Sequence, residues 1–369
     1  MSIPKLRIGD LIADIPIVQG GMGVRISMAS LAAAVAEEGG IGTISSIGLG
    51  DLERGARDYE RVSCEALRAE IRKARSMTQG ILAVNFMGAV RNVEVLVETA
   101  VEEGIKMIVF GAGLPMRLPE MVPDPSVNLV PIVSSARAAD LILRAWAKRY
   151  ERTADAFILE GPLAGGHLGF SRDELQHVED FALETLVPQV LETVKPYEER
   201  HGKAIPVIAA GGIYDGHDIA RMLRLGASGV QMATRFVCTW ECDAAKAFKQ
   251  TYLDAREEDI VIIKSPVGLP GRAIRNKFLV DLEKADPPQV HCPYHCLTAC
   301  KVAEAKFCIA QALLNACRGD VDHGLVFCGQ NAHRIDKIVS VKDLIAELLG
   351  ELEAALAKTD PRTDLSPEG

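Results

Sequence analysis

The chain has 369 residues, 48% of them hydrophobic and 25% charged, with a net charge of −9. It is long enough to bury a full core and suits a β/α barrel of about 250 residues with an addition. The acidic balance, with no arginine- or lysine-rich block, argues against nucleic acid as the main partner, and no apolar run reaches the ~18 residues that a membrane span requires.

Ile15-Pro16-Ile17-Val18 is a short apolar run that breaks into Gln19-Gly20-Gly21-Met22-Gly23, and Ser27 to Glu38 reads as a helix capped by Ser27 or Ser30. Ile41 to Ile44 is a second strand, followed by a charged amphipathic helix from Arg54 to Ser76. Gly80 to Phe86 is a third strand, Val93 to Glu103 a helix, and Ile105 to Phe110 a fourth strand. Asn128 to Val133 is a fifth, Ala136 to Tyr150 a helix, and Ala156 to Leu159 a sixth strand that ends in Glu160-Gly161-Pro162-Leu163-Ala164-Gly165-Gly166-His167. Phe181 to Val194 is a helix before the most informative stretch, Ile205 to Phe236.

That stretch holds two strand-to-turn signals around one helix. Ile205 to Ala210 ends in Gly211-Gly212, and Val230-Gln231-Met232 ends at Ala233-Thr234-Arg235. Without a Cβ at Gly211 and Gly212, backbone N–H groups can approach an anion closely. Two consecutive strand ends of this kind match the phosphate site formed after the seventh and eighth strands of a β/α barrel. Strict alternation of strand and helix predicts a parallel sheet, and eight units with glycine after the strands predict a closed TIM (β/α)8 barrel.

Beyond it, Asp243 to Leu253 reads as a helix, Ser265 to Phe278 as a Gly/Pro-rich segment, Val339 to Ala357 as a terminal amphipathic helix and Lys358 to Gly369 as a frayed tail. The expected division is a barrel from 1–240 with part of 325–357, a helical and cysteine-rich insert or lid over 241–324, and a flexible tail at 358–369. No basic segment followed by an apolar one opens the sequence, so a secretory signal is not expected and the chain reads as cytoplasmic. Its nine cysteines then read as thiols, metal ligands or redox groups rather than structural disulfides.

Five motifs in this order carry a family resemblance: Pro16 to Gly23, Asn85-Phe86, Ala164-Gly165-Gly166-His167, Ala210-Gly211-Gly212-Ile213 and Gly229 to Phe236. From about Lys5 to Asn276 the chain resembles the nitronate monooxygenase family, formerly called 2-nitropropane dioxygenases, which includes flavin-dependent enoyl-acyl-carrier-protein reductases. Phe327-Cys328-Gly329-Gln330 is similar to that family's closing Ala-Gly-Gln element. The resemblance implies FMN in the barrel, its phosphate on the N–H groups of Gly211, Gly212, Ala233 and Thr234 and on the Thr234 hydroxyl. Met22 and Gly23 would lie along the isoalloxazine, Asn85 near its polar edge and Gln231 near the ribityl chain or ring, with Glu160, Gly166 and Met232 completing the cofactor set. In the family the histidine matching His167 acts on the substrate, and an imidazole titrating near neutrality can take a proton from a carbon acid. The carboxylate that often precedes the glycines is missing here, which leaves Glu160, seven residues before His167, as the nearest acid on that side.

Six cysteines lie between Cys292 and Cys328, five of them in the stretch from Asp286 to His323, which is not associated with ordinary nitronate monooxygenases. Cys292, Cys296 and Cys300 are spaced by four; a helix starting at Pro293 would stack their thiols on one face, with Cα atoms about 6 Å apart along the axis. Thiolates so spaced suit a cubane iron–sulfur cluster better than tetrahedral zinc, a distinction that a non-helical loop would remove. Cys308 is the nearest fourth ligand and Cys328 the alternative, while His291 and His295 keep a mixed-ligand site open.

The reading that follows is an FMN-dependent oxidoreductase acting on an alkyl nitronate or similar carbon acid with O2, with His167 as base. An NAD(P)H-dependent reductase of enoyl thioesters is the alternative. A flavin-free phosphate-binding barrel is a further one, weakened because Glu160 to Ser171 contains no nucleophilic cysteine. A non-catalytic electron-transfer or scaffold protein rests only on the cysteines. The expected partner is a small-molecule substrate, with no nucleic acid or membrane, and a homodimer stays open.

Overall fold

Eight parallel strands close into a barrel: β1 (Ile17–Gln19), β2 (Ile41–Ser45), β3 (Ile81–Met87), β4 (Met107–Gly111), β5 (Asn128–Val133), β6 (Phe157–Glu160), β7 (Val207–Ala210) and β8 (Gly229–Met232). Closure runs through the pairing of Val230 with Ile17. The structure, a computed structural model, describes residues 3–50, 58–284, 290, 292, 295–298 and 300–358. The strands are nearly continuous apolar runs because helices cover the outside and side chains fill the inside. Val18, Ile41, Ala83, Val109, Val130, Ile158 and Ile208 form the inner cluster. Leu6, Ile8 and Ala13 join it from an antiparallel hairpin of two three-residue strands, Leu6–Ile8 and Leu11–Ala13, which the sequence pattern did not reveal.

The helix after β1 runs from Ala29 to Glu37, with Met28 as N-cap and no side-chain cap. Neither expected serine caps it. Its first N–H groups are met by distant carboxylates instead, Met28 N–H by Asp243 Oδ2 at 3.0 Å and Ala29 N–H by Glu70 Oε2 at 3.0 Å. Ser27 is used elsewhere, its Oγ accepting from Met22 N–H at 2.8 Å and so holding the loop after β1. The expected helix from Arg54 begins at Tyr59 and ends at Met77; residues 54–57 lie outside the described residues. The helix before β7 runs from Leu183 to His201, past the expected Val194, with Pro188 and Pro196 inside it.

The terminal helix Val341–Ala357 packs against the helix Gly216–Arg224 that links β7 to β8. Glu351 Oε2 accepts from Gly216 N–H at 2.8 Å, and Arg224 donates to Ala355 O at 2.7 Å. The strand ends of the glycine-rich stretch are thus braced from outside. Part of the Gly/Pro-rich segment is regular: Pro270–Ile274 pairs antiparallel with Ile260–Lys264, and Gly166-His167 adds a third strand through Gly271 opposite His167. Among the described residues no helix is long and apolar enough to cross a membrane.

Candidate active site

The C-terminal ends of the barrel strands surround a cavity of about 290 Å³. Met22, Gly23, Asn85, Glu160, Gly166, His167, Gly211, Gly212, Gln231, Met232, Ala233 and Thr234 all line it. Residues as far apart as Met22 and Thr234 therefore share one site, as the barrel topology requires.

At the β7–β8 end the lining is backbone. Gly211 and Gly212 adopt φ of +93° and +81°, and a Cβ on Gly211 would stand 2.9 Å from Gly161 O. Asn331 Nδ2 donates to Gly212 O at 2.9 Å, which holds the turn. Thr234 opens the short helix Thr234–Val237, whose N-cap Ala233 offers no side-chain cap. Arg235 turns away from the cavity: it donates to Tyr214 O at 3.2 Å and to Glu347 Oε1 at 2.7 Å, with its guanidinium 4.6 Å from the Tyr214 ring centre. No lysine or arginine is among the described residues lining the cavity. An anion there would be recognised by N–H dipoles and the Thr234 hydroxyl rather than by an ion pair.

Next to β1 and β3 the chain leaves room for a flat group. A Cβ on Gly21 would stand 2.4 Å from Asn85 Cβ, so glycine there keeps the Asn85 side chain at the cavity wall. Gln231 Oε1 is buried and has no hydrogen-bond partner among the described residues. A buried acceptor left unpaired costs about 1–3 kcal/mol, so a ligand with a donor at that place relieves a real penalty.

His167 lines the same cavity from the loop after β6. Its Nε2 lies 2.7 Å from Ser265 Oγ, which also accepts from Val267 N–H at 3.2 Å. The Phe327 ring meets the imidazole edge-on at 5.0 Å between centres. Burial pushes the imidazole down to about 4, because a charged ring loses hydration there. The near-neutral titration expected for His167 is therefore corrected: the ring is neutral at physiological pH. Burial pushes the carboxyl of Glu160, at the end of β6, up to about 7. The group poised near neutrality is the acid, and the two shifts diverge in the manner of paired acid and base groups.

Several supporting residues were not legible beforehand. Arg272 donates to Pro162 O at 2.8 Å and also to Ala164 O, clamping the loop between β6 and His167. Tyr252 O–H donates to Phe327 O at 2.6 Å. Both partners lie far along the chain, and for Arg272 the one available signal was a basic residue embedded in an apolar Gly/Pro segment.

The cysteines divide. Cys292, Cys296, Cys300 and Cys308 line one small cavity with His295. Cys328 lines the barrel cavity instead, buried so that its thiol is pushed up to about 12; it does not stand in for Cys308. His291 and Pro293 lie outside the described residues. The expected helix is absent over the described residues 295–298, because the backbone is committed to the β3 loop: Arg91 N–H donates to Cys296 O at 3.0 Å and Thr298 N–H to Ala89 O at 2.9 Å.

The family profile described as nitronate monooxygenase matches residues 6–351. The chain belongs to the nitronate monooxygenase family. Members of this family are flavin-dependent oxidoreductases. A (3aS,4S,5R,7aS)-5-hydroxy-7a-methyl-1-oxo-octahydro-1H-indene-4-carboxyl-CoA dehydrogenase of Mycobacterium tuberculosis is 30% identical over 268 residues, 73% of this chain, and the match spans only 65% of that relative's length. A probable nitronate monooxygenase of Staphylococcus aureus is 24% identical over 73% of this chain and 78% of its own. Among solved structures, FabK from Thermotoga maritima superposes with a TM-score of 0.73 at 30% identity, covering 93% of this chain and 94% of its own. The nitroalkane oxidase of Streptomyces ansochromogenes, at 23% identity, TM-score 0.71 and coverage of 96% and 98%, shares the fold.

Proposed function

We propose that this nitronate monooxygenase family member is an FMN-dependent oxidoreductase that oxidises an alkyl nitronate or a similar carbon acid with O2, with His167 as the base. The observation that carries the reading is the shared cavity, in which an uncharged imidazole meets the Gly211-Gly212 turn after β7 and the Ala233-Thr234 turn after β8. FMN, when bound, supplies the two-electron redox chemistry. The residues present fit it: N–H groups of Gly211, Gly212, Ala233 and Thr234 for the phosphate, Met22 and Gly23 along the ring, and Asn85 with the unpaired Gln231 Oε1 for polar edges. Glu160, Gly166 and Met232 complete the wall.

His167 needs no deprotonation before it acts, because burial already keeps it neutral. In the tautomer that donates Nε2–H to Ser265 Oγ, the lone pair resides on Nδ1, the atom that would take the proton of a neutral carbon acid; an alkyl nitronate arrives already deprotonated and is only positioned by the ring. Glu160, near its own midpoint at neutral pH, can return a proton to the site. We read 1–240 with part of 325–357 as the cofactor-holding barrel and 241–324 as the lid, whose hairpin brings Ser265 to His167 and keeps water from it.

A second reading, NAD(P)H-dependent reduction of an enoyl thioester, is supported by the similarity at 30% identity to FabK and to a dehydrogenase whose name gives a hydroxy-indene-carboxyl-CoA thioester. Anaerobic mixing separates them. Bleaching of flavin absorbance by a nitronate but not by NAD(P)H supports the first, and bleaching by NAD(P)H with turnover of an enoyl thioester supports the second. A purified protein without flavin absorbance overturns both.

A further inference from the structure

Apart from the isolated Cys64, the cysteines fall into two groups of four. Cys238, Cys242, Cys317 and Cys328 are buried, and the first three donate S–H to the carbonyls of Lys249, Ile26 and Arg25; these are small core residues with satisfied thiols. Cys292, Cys296, Cys300 and Cys308 are only half-buried and form no disulfide, and they line a single small cavity together. A core role does not explain four thiols converging from a loop and a helix start at the protein surface.

Their spacing indicates what they hold. Zinc with Zn–S bonds of ~2.3 Å in a tetrahedron draws its sulfurs to within about 3.8 Å of each other. Among the described residues no three of these ligand atoms lie within 4.8 Å of one another, so the cage is too wide for a bare tetrahedral ion. It is nevertheless tight enough for all four thiols to line one small cavity. A cubane core interposes iron and sulfide between its ligands and so takes thiolates at a wider separation.

The cage is held from two sides. Arg91 Nε donates to Leu297 O at 3.2 Å and its N–H to Cys296 O at 3.0 Å, which ties the loop to the barrel. Cys308 is the N-cap of the helix Ile309–Arg318, where backbone N–H groups of Gln311 and Ala310 reach its sulfur. Cys296, Leu297, Ile309 and Ala310 line this cage and the barrel cavity alike, so the two sites share one partition.

We propose that Cys292, Cys296, Cys300 and Cys308 ligate a [4Fe–4S] cluster seated against the outer wall of the barrel cavity. The test is anaerobic purification of the full chain, reconstitution with ferrous iron and sulfide, and separate assays of iron, acid-labile sulfide, zinc and flavin on the same sample. About four irons and four sulfides per chain, with a paramagnetic signal after dithionite reduction, are expected. Both Cys300→Ser with Cys308→Ser and Cys300→Ser alone are expected to lose at least half of the iron while keeping the flavin, whereas Cys64→Ser keeps both. Less than one iron per chain after reconstitution, stoichiometric zinc without sulfide, or an unaltered iron content in the single Cys300→Ser variant would overturn the proposal. Because flavin is read independently, a sample with cluster and no flavin overturns only the proposed activity, and one with flavin and no cluster overturns only the cage.

Discussion

At the β7–β8 end of the cavity the chain presents peptide groups on glycines held in left-handed conformations, while at the β6 end it presents two titratable side chains, each displaced by burial. The first wall depends on backbone that no side chain can replace; the second depends on atoms placed by a hairpin from elsewhere in the chain. Substitutions in the first should therefore remove the cofactor, and substitutions in the second should spare the cofactor and slow the chemistry. His167→Ala is the largest expected effect on the second wall: kcat falls by about 10²–10⁴-fold with flavin content unchanged. Equal loss of flavin and rate would merge the two walls and sink the distinction.

Gly211→Val is the counterpart on the first wall. A side chain at φ +93°, with its Cβ 2.9 Å from Gly161 O and 3.0 Å from Ala164 N, strains the backbone by about 1–3 kcal/mol. Flavin retained after gel filtration should drop at least tenfold, with kcat per bound flavin little changed. Retention of stoichiometric flavin would show that the anion is not held by this turn.

The two buried groups make opposite pH predictions within one cavity. Glu160 has a folded value of about 7 against about 4.3 when unfolded. The folded state therefore holds the extra proton between those values, and the stability it contributes is full below the unfolded value and lost as pH rises through the folded one. His167 falls from its ordinary 6.5 to about 4, so its contribution is present above the unfolded value and lost as pH falls through the folded one. Glu160→Gln keeps the neutral form at every pH. Its Tm should exceed the parent's by a few degrees at pH 8 and match it near pH 4, and the limb of the kcat profile near neutrality should vanish. A pH-independent Tm difference would contradict the assigned shift.

How much of this was readable beforehand follows from where the information lies. Asn128–Val133 and Ala136–Tyr150 match the sequence expectation residue for residue, because apolar runs, a terminating glycine or polar turn and a Ser135 cap are all local. The twelve cofactor and catalytic candidates met in one cavity because barrel topology brings strand ends together whatever the side chains are. The Leu6–Ile8 and Leu11–Ala13 hairpin stayed hidden, since three residues give no period. Ser265 stayed hidden for another reason: it meets His167 across 98 positions, and no local pattern marks such a pair. The cysteine spacing did point to a shared site, but through a helix that is absent over the described residues 295–298; hydrogen bonds to Ala89 and Arg91, some two hundred residues away, hold the loop that brings the thiols together.

Two smaller effects sharpen the comparison of the walls. Ser265→Ala removes one hydrogen bond to His167 and should lower kcat by roughly fivefold, the equivalent of about 1 kcal/mol, with KM unchanged; a larger fall with lost flavin would make the hairpin part of the cofactor wall. Gln231→Leu is the finest probe, because two effects of opposite sign are expected. In the flavin-free protein the substitution removes a buried acceptor that has no partner, so stability should hold or rise by up to about 1 kcal/mol, whereas flavin affinity should fall several-fold as the hydrogen bond made only with ligand is lost. A variant destabilised without flavin would mean that Gln231 is satisfied by the protein itself, and the case for a donor-bearing ligand at that place would lapse.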